Sequence, residues 1–241
     1  MQSIVITDLH LRDPDGSPEA AAHAARIGER LDRISEAVPE AEFCILMGDL
    51  TDAGEDAAYR WLKRRLDELP FPSVPMLGNH DDRQAFCAVF RRGEDHDGFV
   101  QSSRRFGEFR FVFLDTHVPG EDWGYLCEER LAWLDTRLGK GGDVCLFLHH
   151  PPCDIGDPVL DPIKLSNASE LARLLRQHGN VRQIVFGHVH RTMFLLWNGI
   201  PCASLDSLGT TGSGVSPGQF GVLGQLSPGS DFVALTFNSL A

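Results

Sequence analysis

The chain has 241 residues, a length that suits one large domain. Hydrophobic residues make up 42% of the sequence and charged residues 23%, a balance that excludes disordered, fibrous and collagen-like chains. The formal net charge of −12 disfavours binding to long nucleic acids or to an anionic membrane surface. At face value it also disfavours small phosphorylated substrates.

No apolar run approaches the roughly 18–20 residues of a membrane-spanning helix, so we expect no membrane partner. The opening sequence, MQSIVITDLH, lacks the basic region and the long apolar stretch of a secretory signal. Six cysteines are scattered without any CxxC pair, and several lie in apolar runs where buried free thiols are common. These features predict a cytoplasmic protein with reduced cysteines.

The predicted elements alternate between strand and helix in the first half of the chain. Apolar runs predict strands at residues 3–7, 43–47, 74–77, 108–114, 143–148, 183–186, 192–197, 200–204, 219–226 and 232–237. Helical periodicity predicts helices at residues 18–38, 55–68, 83–91, 127–138 and 168–178. This order indicates an α/β fold whose sheet becomes more antiparallel toward the end of the chain.

Three helix ends have recognisable sequences. Ser17 before Pro18 predicts an N-cap, and Asn167 followed by Glu170 predicts a capping box. Gly179 predicts the end of the last helix.

Two segments depart from this regular pattern. Residues 92–107 are polar and glycine-containing, which predicts an excursion between core elements. A Gly- and Ser-rich stretch begins near residue 205 and predicts a loop. We expect a single domain over residues 1–241, in which 205–241 form a C-terminal loop and strand segment near the rim of a pocket.

Five short polar clusters follow directly after predicted strands. They are Asp8-x-His10, Gly48-Asp49, Gly78-Asn79-His80-Asp81, His149-His150 and Gly187-His188-x-His190. Loops at the carboxyl ends of strands converge on one crevice in an open α/β sheet. We therefore expect these side chains to meet in space, although they are far apart in sequence.

Such an assembly has the chemistry of a metal site. Imidazole and carboxylate ligands suit Mn, Fe, Zn or Co, and the absence of thiolates argues against a Cys-based structural zinc site. The donors are too many for one tetrahedral ion, and they suit two divalent ions that share a bridging carboxylate. Two-metal sites of this kind activate water for in-line displacement at phosphorus.

In this order, the five clusters resemble the motifs of the calcineurin-like metallophosphoesterases. Within that superfamily the chain resembles the class III cyclic nucleotide phosphodiesterases and the bacterial glycerophosphodiesterases. Further similar stretches are GDLTDAG at 48–54, HHPP at 149–152 and DPIKLSNASEL at 161–171. The resemblance implies a four-layer α/β/β/α sandwich with two mixed β-sheets. It also implies hydrolysis of a small phosphodiester, such as a cyclic nucleotide or a glycerophosphodiester, by in-line attack of a metal-bridging hydroxide.

The resemblance implies a role for each site residue. Asp8, His10 and His190 would hold the first metal, and Asn79, His149 and His188 the second. Asp49 would bridge both ions. His80 would face the phosphate and stabilise the transition state or protonate the leaving alkoxide, so that Asn79 and His80 also contact substrate. Asp52 would orient His80.

Two further histidines are less certain in role from the sequence. His150 follows the expected ligand His149, and either a structural or a ligand-supporting position suits it. His117 follows the predicted strand 108–114, and its position relative to the pocket stays open.

One difference from the Ser/Thr protein phosphatases bears on which class of phosphate ester the chain would hydrolyse. The acidic motif of the Ser/Thr protein phosphatases reads GDxxDRG, whereas Ala53 stands here in place of the arginine that contacts a monoester phosphate. This favours a diesterase. Four alternatives stay open: a phosphomonoesterase, a phosphonate monoesterase, a nuclease and a non-catalytic interaction module. The resemblance also implies self-association as a homo-oligomer, while the physiological substrate and the identity of the metals are left undetermined.

Overall fold

The computed structural model of the protein describes residues 1–90, 98–209, 219–225 and 233–240. The strands are β1 (Gln2–Ile6), β2 (Cys44–Leu46), β3 (Ser73–Pro75), β4 (Ser102–Phe106), β5 (Phe109–Phe113), β6 (Val144–Leu148), β7 (Val181–Phe186), β8 (Met193–Trp197), β9 (Ile200–Ser204), β10 (Gln219–Gln225) and β11 (Val233–Ser239). The α-helices are α1 (Pro18–Ala37), α2 (Asp56–Asp67), α3 (Arg83–Phe90), α4 (Glu128–Leu138) and α5 (Ala168–His178), and a short 3₁₀ helix spans Asp161–Ile163.

The strands form two mixed sheets. The first has the order β11-β10-β1-β2-β3, in which β1, β2 and β3 are parallel and the last two strands of the chain add antiparallel to β1. The second has the order β4-β5-β6-β7-β9-β8, with a parallel centre flanked by antiparallel edge strands. All ten predicted strands and all five predicted helices have counterparts in the described residues.

Alternate residues of each central strand enter different layers of the core. Ile4 and Ile6 of β1 pack with helices α1 and α2, whereas Val5 between them faces the second sheet. Leu146 of β6 likewise packs toward α4 and α5, while Phe147 faces the first sheet. This is the period of two that a β-strand imposes on its side chains. The four-layer α/β/β/α sandwich is therefore confirmed.

Two of the predicted helix ends are confirmed. The Ser17 side chain accepts a hydrogen bond from the backbone amide of Ala20 at 3.1 Å, and Gly179 has φ 64° at the end of α5. The predicted capping box at Asn167 is wrong. Its side chain is hydrogen-bonded to the backbone of Leu126 in both directions, at 3.1 and 2.8 Å, and makes no bond to a helix amide.

The predicted excursion at 92–107 is corrected in part, because residues Ser102–Phe106 form strand β4 antiparallel to β5. β4 is an edge strand, and its central arginines are exposed. The apolar alternation that identifies a half-buried strand is therefore weak in this segment. Residues 92–97 lie outside the described part of the chain. Among the described helices, none is long and apolar enough to cross a membrane.

The layer between the sheets depends on Phe111, which stacks on Phe106 and contacts Phe43 and Phe147. We predict that Phe111→Ala lowers the free energy of unfolding by about 3–5 kcal/mol, because the cavity left behind cannot be filled by its neighbours. Urea denaturation measures the change. The matched control is Phe194→Ala, since Phe194 is 66% exposed and should lose under about 1 kcal/mol. Equal losses in the two variants would contradict this prediction.

Candidate metal centre

The five polar clusters lie at the carboxyl ends of parallel strands in both sheets. Asp8 and His10 follow β1, Asp49 follows β2, and Asn79 and His80 follow β3. The remaining members follow the central strands of the second sheet, with His149 and His150 after β6 and His188 and His190 after β7. The predicted convergence of these clusters is therefore observed, and the site spans the junction of the two sheets.

The backbone is unusual at five of these positions. Asp8, His10, Asp49, His188 and His190 have positive φ angles between 46° and 70°. Among the described non-glycine residues only Asn198 shares this conformation. A non-glycine residue with positive φ is uncommon and costs free energy, and such residues concentrate at functional sites. The strained backbone at these five positions fixes the direction of each side chain.

Glycines allow the loops to approach one another. A Cβ atom on Gly48 would lie 2.6 Å from Nδ1 of His149 and 2.6 Å from the backbone nitrogen of Gly78. A Cβ atom on Gly187 would lie 3.2 Å from Oδ2 of Asp8. The glycines before Asp49 and His188 are therefore needed for close packing of the loops, which explains the GD and GHxH sequences physically.

One group of donors faces inward from β1 and β7. Nε2 of His10 lies 3.0 Å from Nε2 of His190, and the latter lies 3.4 Å from Oδ1 of Asp8. Ligand atoms of Asp8, His10, Asp49 and His190 all lie within 4.8 Å of one another. The Asp8 carboxylate is held in place by the hydroxyl of Thr7 at 2.5 Å and the amide of His188 at 3.2 Å.

A second group forms around Asn79. Its Oδ1 lies 3.0 Å from Nδ1 of His188 and 3.2 Å from Nε2 of His149. The opposite nitrogen of His149, Nδ1, donates to the backbone carbonyl of Met47 at 2.8 Å if it bears the proton. That bond leaves the lone pair of Nε2 directed into the group, which is the arrangement that a metal-binding imidazole needs.

Asp49 is shared between the two groups. Its Oδ2 lies 3.6 Å from Nε2 of His10, and its Oδ1 lies 3.4 Å from Nε2 of His149. The backbone amide of His80 donates to Oδ1 at 3.0 Å. One buried carboxylate therefore presents a different oxygen to each group, as a bridge between two cations requires.

The buried ionisable groups of the site shift one another's pKa values. Burial alone would lower the pKa of His149, but the charge of Asp49 and its hydrogen bond outweigh this and raise the pKa to about 9. Burial likewise opposes ionisation of Asp49, yet the surrounding imidazoles hold its pKa below the usual value. His188 behaves differently, because burial and then the charge on His149 lower its pKa to about 4. The protonation state of each buried group therefore depends on that of its neighbours.

His80 lies beside the first group and remains accessible. Its side chain is 40% exposed, and its ring is 4.7 Å from that of His10 in an edge-on contact. Nδ1 of His80 lies 2.9 Å from the backbone carbonyl of Asp52. The Asp52 carboxylate is farther away, with Oδ1 4.0 Å from Nδ1 of His80. It lies nearer to Nδ1 of His10, at 3.4 Å, and pairs with Arg12 at 2.8 Å. The contact between Asp52 and His80 is therefore through the main chain.

His150 is buried beside the second group, but both of its ring nitrogens have partners. Nδ1 lies 2.8 Å from the hydroxyl of Thr116, and Nε2 lies 3.2 Å from the backbone carbonyl of Asp122. Burial and the charge on His149 hold its pKa well below the ordinary value. His150 thus fixes the 116–122 loop beneath the site.

Asp81 supports the site, although no sequence feature distinguishes it from the other residues of the GNHD turn. Its buried carboxylate accepts from the hydroxyl of Tyr59 at 2.8 Å and from three backbone amides, those of Gly78, Leu50 and Thr51. Burial and the nearby Asp49 raise the pKa of Asp81 to about 6. The carboxylate ties the loop after β2 to the loop after β3. The sequence signal for this supporting role is limited to the position of Asp81 in the same short turn as Asn79.

Two cavities border the donors. One of about 300 Å³ is lined by His10 and Asp52 together with His23 of α1 and Gly209. The other, of about 520 Å³, borders Asn79 and is lined by His117 among others. Of the predicted rim segment 205–241, residues 210–218, 226–232 and 241 lie outside the described part of the chain.

The Tyr59 hydroxyl donates to Asp81 and accepts from the backbone amide of Asp82 at 2.9 Å. We predict that Tyr59→Phe costs about 1–3 kcal/mol in the free energy of unfolding, since the buried Asp81 carboxylate and the Asp82 amide each lose a hydrogen bond. Chemical denaturation checks this, with Tyr125→Phe as the control because Tyr125 is exposed. A Tyr59→Phe protein as stable as the parent would show that Asp81 does not depend on this bond.

Comparisons with known proteins agree with this geometry. The sequence model of the calcineurin-like phosphoesterase family matches residues 1–192. The chain is 35% identical over 208 residues to a protein of Rhodopseudomonas palustris named "probable cyclic nucleotide phosphodiesterase", covering 83% of this chain and 76% of that protein. It is also 35% identical over 175 residues to the "probable glycerophosphodiester phosphodiesterase GpdQ" of Arcobacter nitrofigilis, covering 69% of this chain and 63% of the relative.

Among solved structures, the fold is similar to that of a dimetal phosphatase from Danio rerio. The TM-score is 0.72 at 19% sequence identity, and the alignment covers 92% of each chain. At this identity the likeness concerns the fold.

Proposed function

The chain belongs to the calcineurin-like phosphoesterase family, and from this premise we propose that it is a two-metal phosphodiesterase of small phosphodiesters. The observation that supports this most directly is the orientation of Asp49. Its two oxygens face two separate groups of nitrogen and oxygen donors, 3.6 Å from His10 and 3.4 Å from His149. A single ion would not need a carboxylate shared in this way.

The donor set fits two divalent ions. We assign Asp8, His10 and His190 to one ion, Asn79, His149 and His188 to the other, and Asp49 to both. All donors are nitrogen or oxygen atoms, which suits Mn, Fe, Zn or Co. Bound there, the ions would offset the negative charge of a phosphodiester and lower the pKa of a water molecule toward neutrality. The protein's own contribution is to fix the donors in advance, through positive φ angles and the hydrogen bonds of Thr7 and Met47.

His80 is the residue proposed to act on the leaving group. Its ring is accessible and lies edge-on to His10 of the first donor group. The carbonyl of Asp52 accepts from Nδ1 when that nitrogen bears a proton, which leaves Nε2 to face the phosphate. An alkoxide is a poor leaving group, so a proton from the imidazole would assist its departure. In this assignment the backbone of Asp52 orients His80.

Two features favour a small diester as substrate. Ala53 replaces the arginine that the protein phosphatases direct at a monoester phosphate. Relatives at 35% identity are named as cyclic nucleotide and glycerophosphodiester phosphodiesterases, and we assign this chain to one of those two substrate classes. The net charge of −12 disfavours a long polyanionic substrate. None of the six cysteines, all of which lie in the described part of the chain, forms a disulfide bond, and this supports the proposed cytoplasmic location.

We predict that the protein hydrolyses bis(p-nitrophenyl) phosphate when Mn²⁺ is supplied. Asp49→Ala should lower kcat/KM by at least about 10³-fold, because both donor groups lose their shared carboxylate. His80→Ala should lower kcat on an alkyl diester such as glycerophosphoethanolamine by about 10²–10⁴-fold with its metal content unchanged, because only proton donation is lost. Its loss on bis(p-nitrophenyl) phosphate should be much smaller, because p-nitrophenolate leaves without a proton. Release of p-nitrophenolate, release of ethanolamine and elemental analysis provide the measurements.

The control for this experiment is Asp56→Ala, which removes an exposed carboxylate from the surface of α2 and should keep the parent rate. Absence of metal-dependent diesterase activity in the parent would refute the proposed function. Parent-like activity of Asp49→Ala would refute the assignment of the shared ligand.

We also predict that metal binding depends on pH. Because the pKa of His149 is raised to about 9, its imidazole holds a proton at neutral pH that a cation at Nε2 has to displace. Affinity should therefore rise with pH, by about tenfold per pH unit for one displaced proton, and should level off above about pH 9. Calorimetric titration with Mn²⁺ in buffers of different ionisation enthalpy measures the proton release. Binding without proton release at pH 7 would contradict the protonated state of His149.

A further inference from the structure

Four strands form the edges of the two sheets in the described part of the chain, and they differ in how they are protected against pairing with another chain. An edge strand presents unpaired backbone groups, and proteins protect it with charged side chains, with proline or by keeping it short. β3 has only three residues and ends in Pro75, and β4 carries the exposed Arg104 and Arg105. The edge strands at the opposite ends of the two sheets, β8 and β11, contain neither a charged residue nor a proline.

β8 and β11 together form one uncharged side of the sandwich. The ring of Phe194 in β8 lies 5.1 Å from that of Phe237 in β11, so the two strands are neighbours across the layers. Their five and seven residues include no charged side chain, although charged residues make up 23% of the sequence. Two copies of a chain with a net charge of −12 repel each other least where such a side meets its own copy. We call this side the uncharged edge.

β8 also exposes apolar side chains to solvent. Phe194 is 66% exposed and Leu196 is 73% exposed. The two side chains lie on the same face of the strand, because they are two residues apart. The alternate residues Met193, Leu195 and Trp197 pack against the core on the other face. A contiguous apolar patch of this kind is typical of an interaction surface.

The unpaired backbone groups of β8 belong to the same two residues. The two-residue turn 198–199 joins β8 to β9, with φ angles of 51° and 79°. A turn of this length closes on a hydrogen-bonded pair, which here is Trp197 with Ile200. Because hydrogen-bonded and non-hydrogen-bonded pairs alternate, the N–H and C=O groups of Phe194 and Leu196 point away from β9. No other strand of the described chain lies on that side of β8.

We propose that β8 pairs antiparallel with β8 of a second copy of the chain across a two-fold axis, so that the second sheets of two molecules join into one. With Leu195 at the axis, Phe194 lies opposite the partner's Leu196, and Leu196 lies opposite the partner's Phe194. Each pair exchanges the outward-facing backbone hydrogen bonds and packs two apolar side chains on one face. The two-fold axis makes both pairs identical, as an isologous interface requires.

The remainder of the uncharged edge fits the same axis. An axis normal to the sheets keeps each sheet in its own layer, so it also brings β11 next to the partner's β11. The residues that flank the paired strands, Thr192 and Asn198, lie opposite each other in this register, and both are uncharged. A second copy is therefore an occupant that brings no charge opposite β8.

The area supports an interface that uses both sheet edges. A specific interface buries roughly 1,200 Å² or more in total. The exposed parts of Phe194 and Leu196 in two copies amount to on the order of 500 Å². The rest has to come from the paired backbones of β8 and from β11.

The first test measures association of the parent protein. In sedimentation velocity it should be a dimer at about 50 µM and should dissociate on dilution. Hydrogen exchange followed by mass spectrometry locates the interface. The peptide that contains Phe194 and Leu196 should exchange more slowly in the dimer than in the diluted monomer, because the outward-facing amides become hydrogen-bonded.

Two double substitutions test the register. Phe194→Lys/Leu196→Lys places like charges opposite each other in both pairs and should weaken the dimer by at least about 100-fold. Phe194→Lys/Leu196→Glu places opposite charges there, and its dimer should be at least about tenfold tighter than that of the first variant. The control is Ala132→Lys/Thr136→Lys, which adds the charge of the first variant at exposed positions of α4 and should dimerise as the parent does.

Three results would overturn the proposal. One is a parent that stays monomeric at about 200 µM, whatever the variants do. Another is a parent dimer without slower exchange in the β8 peptide, a result that needs no folded variant. The third is equal dissociation constants for the two double variants, because the antiparallel register about Leu195 then has no influence on association.

Discussion

The contact between Asp49 and His149 is the interaction on which the site depends. Asp49 follows β2 in the first sheet and His149 follows β6 in the second, so the 3.4 Å contact joins the two halves of the sandwich. The other oxygen of Asp49 faces His10, which completes the link between the donor groups. The strained backbone, the close-packed glycines and the Asp81 hydrogen bonds all hold the loops in the geometry that this carboxylate requires.

An acidic protein can still bind an anionic substrate, because the charge of the site differs from the net charge of the chain. Of the proposed ligands, only Asp8 and Asp49 are carboxylates, and both are fully buried. Two divalent ions would more than balance them, leaving a cationic pocket within a chain of net charge −12. In the proposed function the remaining acidic residues would act on selectivity, since negative charge disfavours polyanions that would lie across the surface.

Much of the fold and of the donor set was predictable because strand periodicity is local and the polar clusters follow buried strands directly. The exceptions have physical causes. The edge strand β4 lacks apolar alternation, and the Asn167 side chain bonds to the backbone of a loop 41 residues away instead of to a helix amide. The function of Asp81 and the position of His117 depend on contacts between loops that are distant in sequence. A search of short motifs cannot detect such contacts.

The central claim is that Asp49 joins two metal ions in one centre. Electron paramagnetic resonance of the protein loaded with two equivalents of Mn²⁺ tests it directly, because ions bridged by one carboxylate are magnetically coupled. We predict a spin-coupled dimanganese spectrum for the parent, replaced by the spectrum of isolated Mn²⁺ in Asp49→Ala. A parent spectrum of isolated Mn²⁺ alone, identical to that of the variant, would contradict the account.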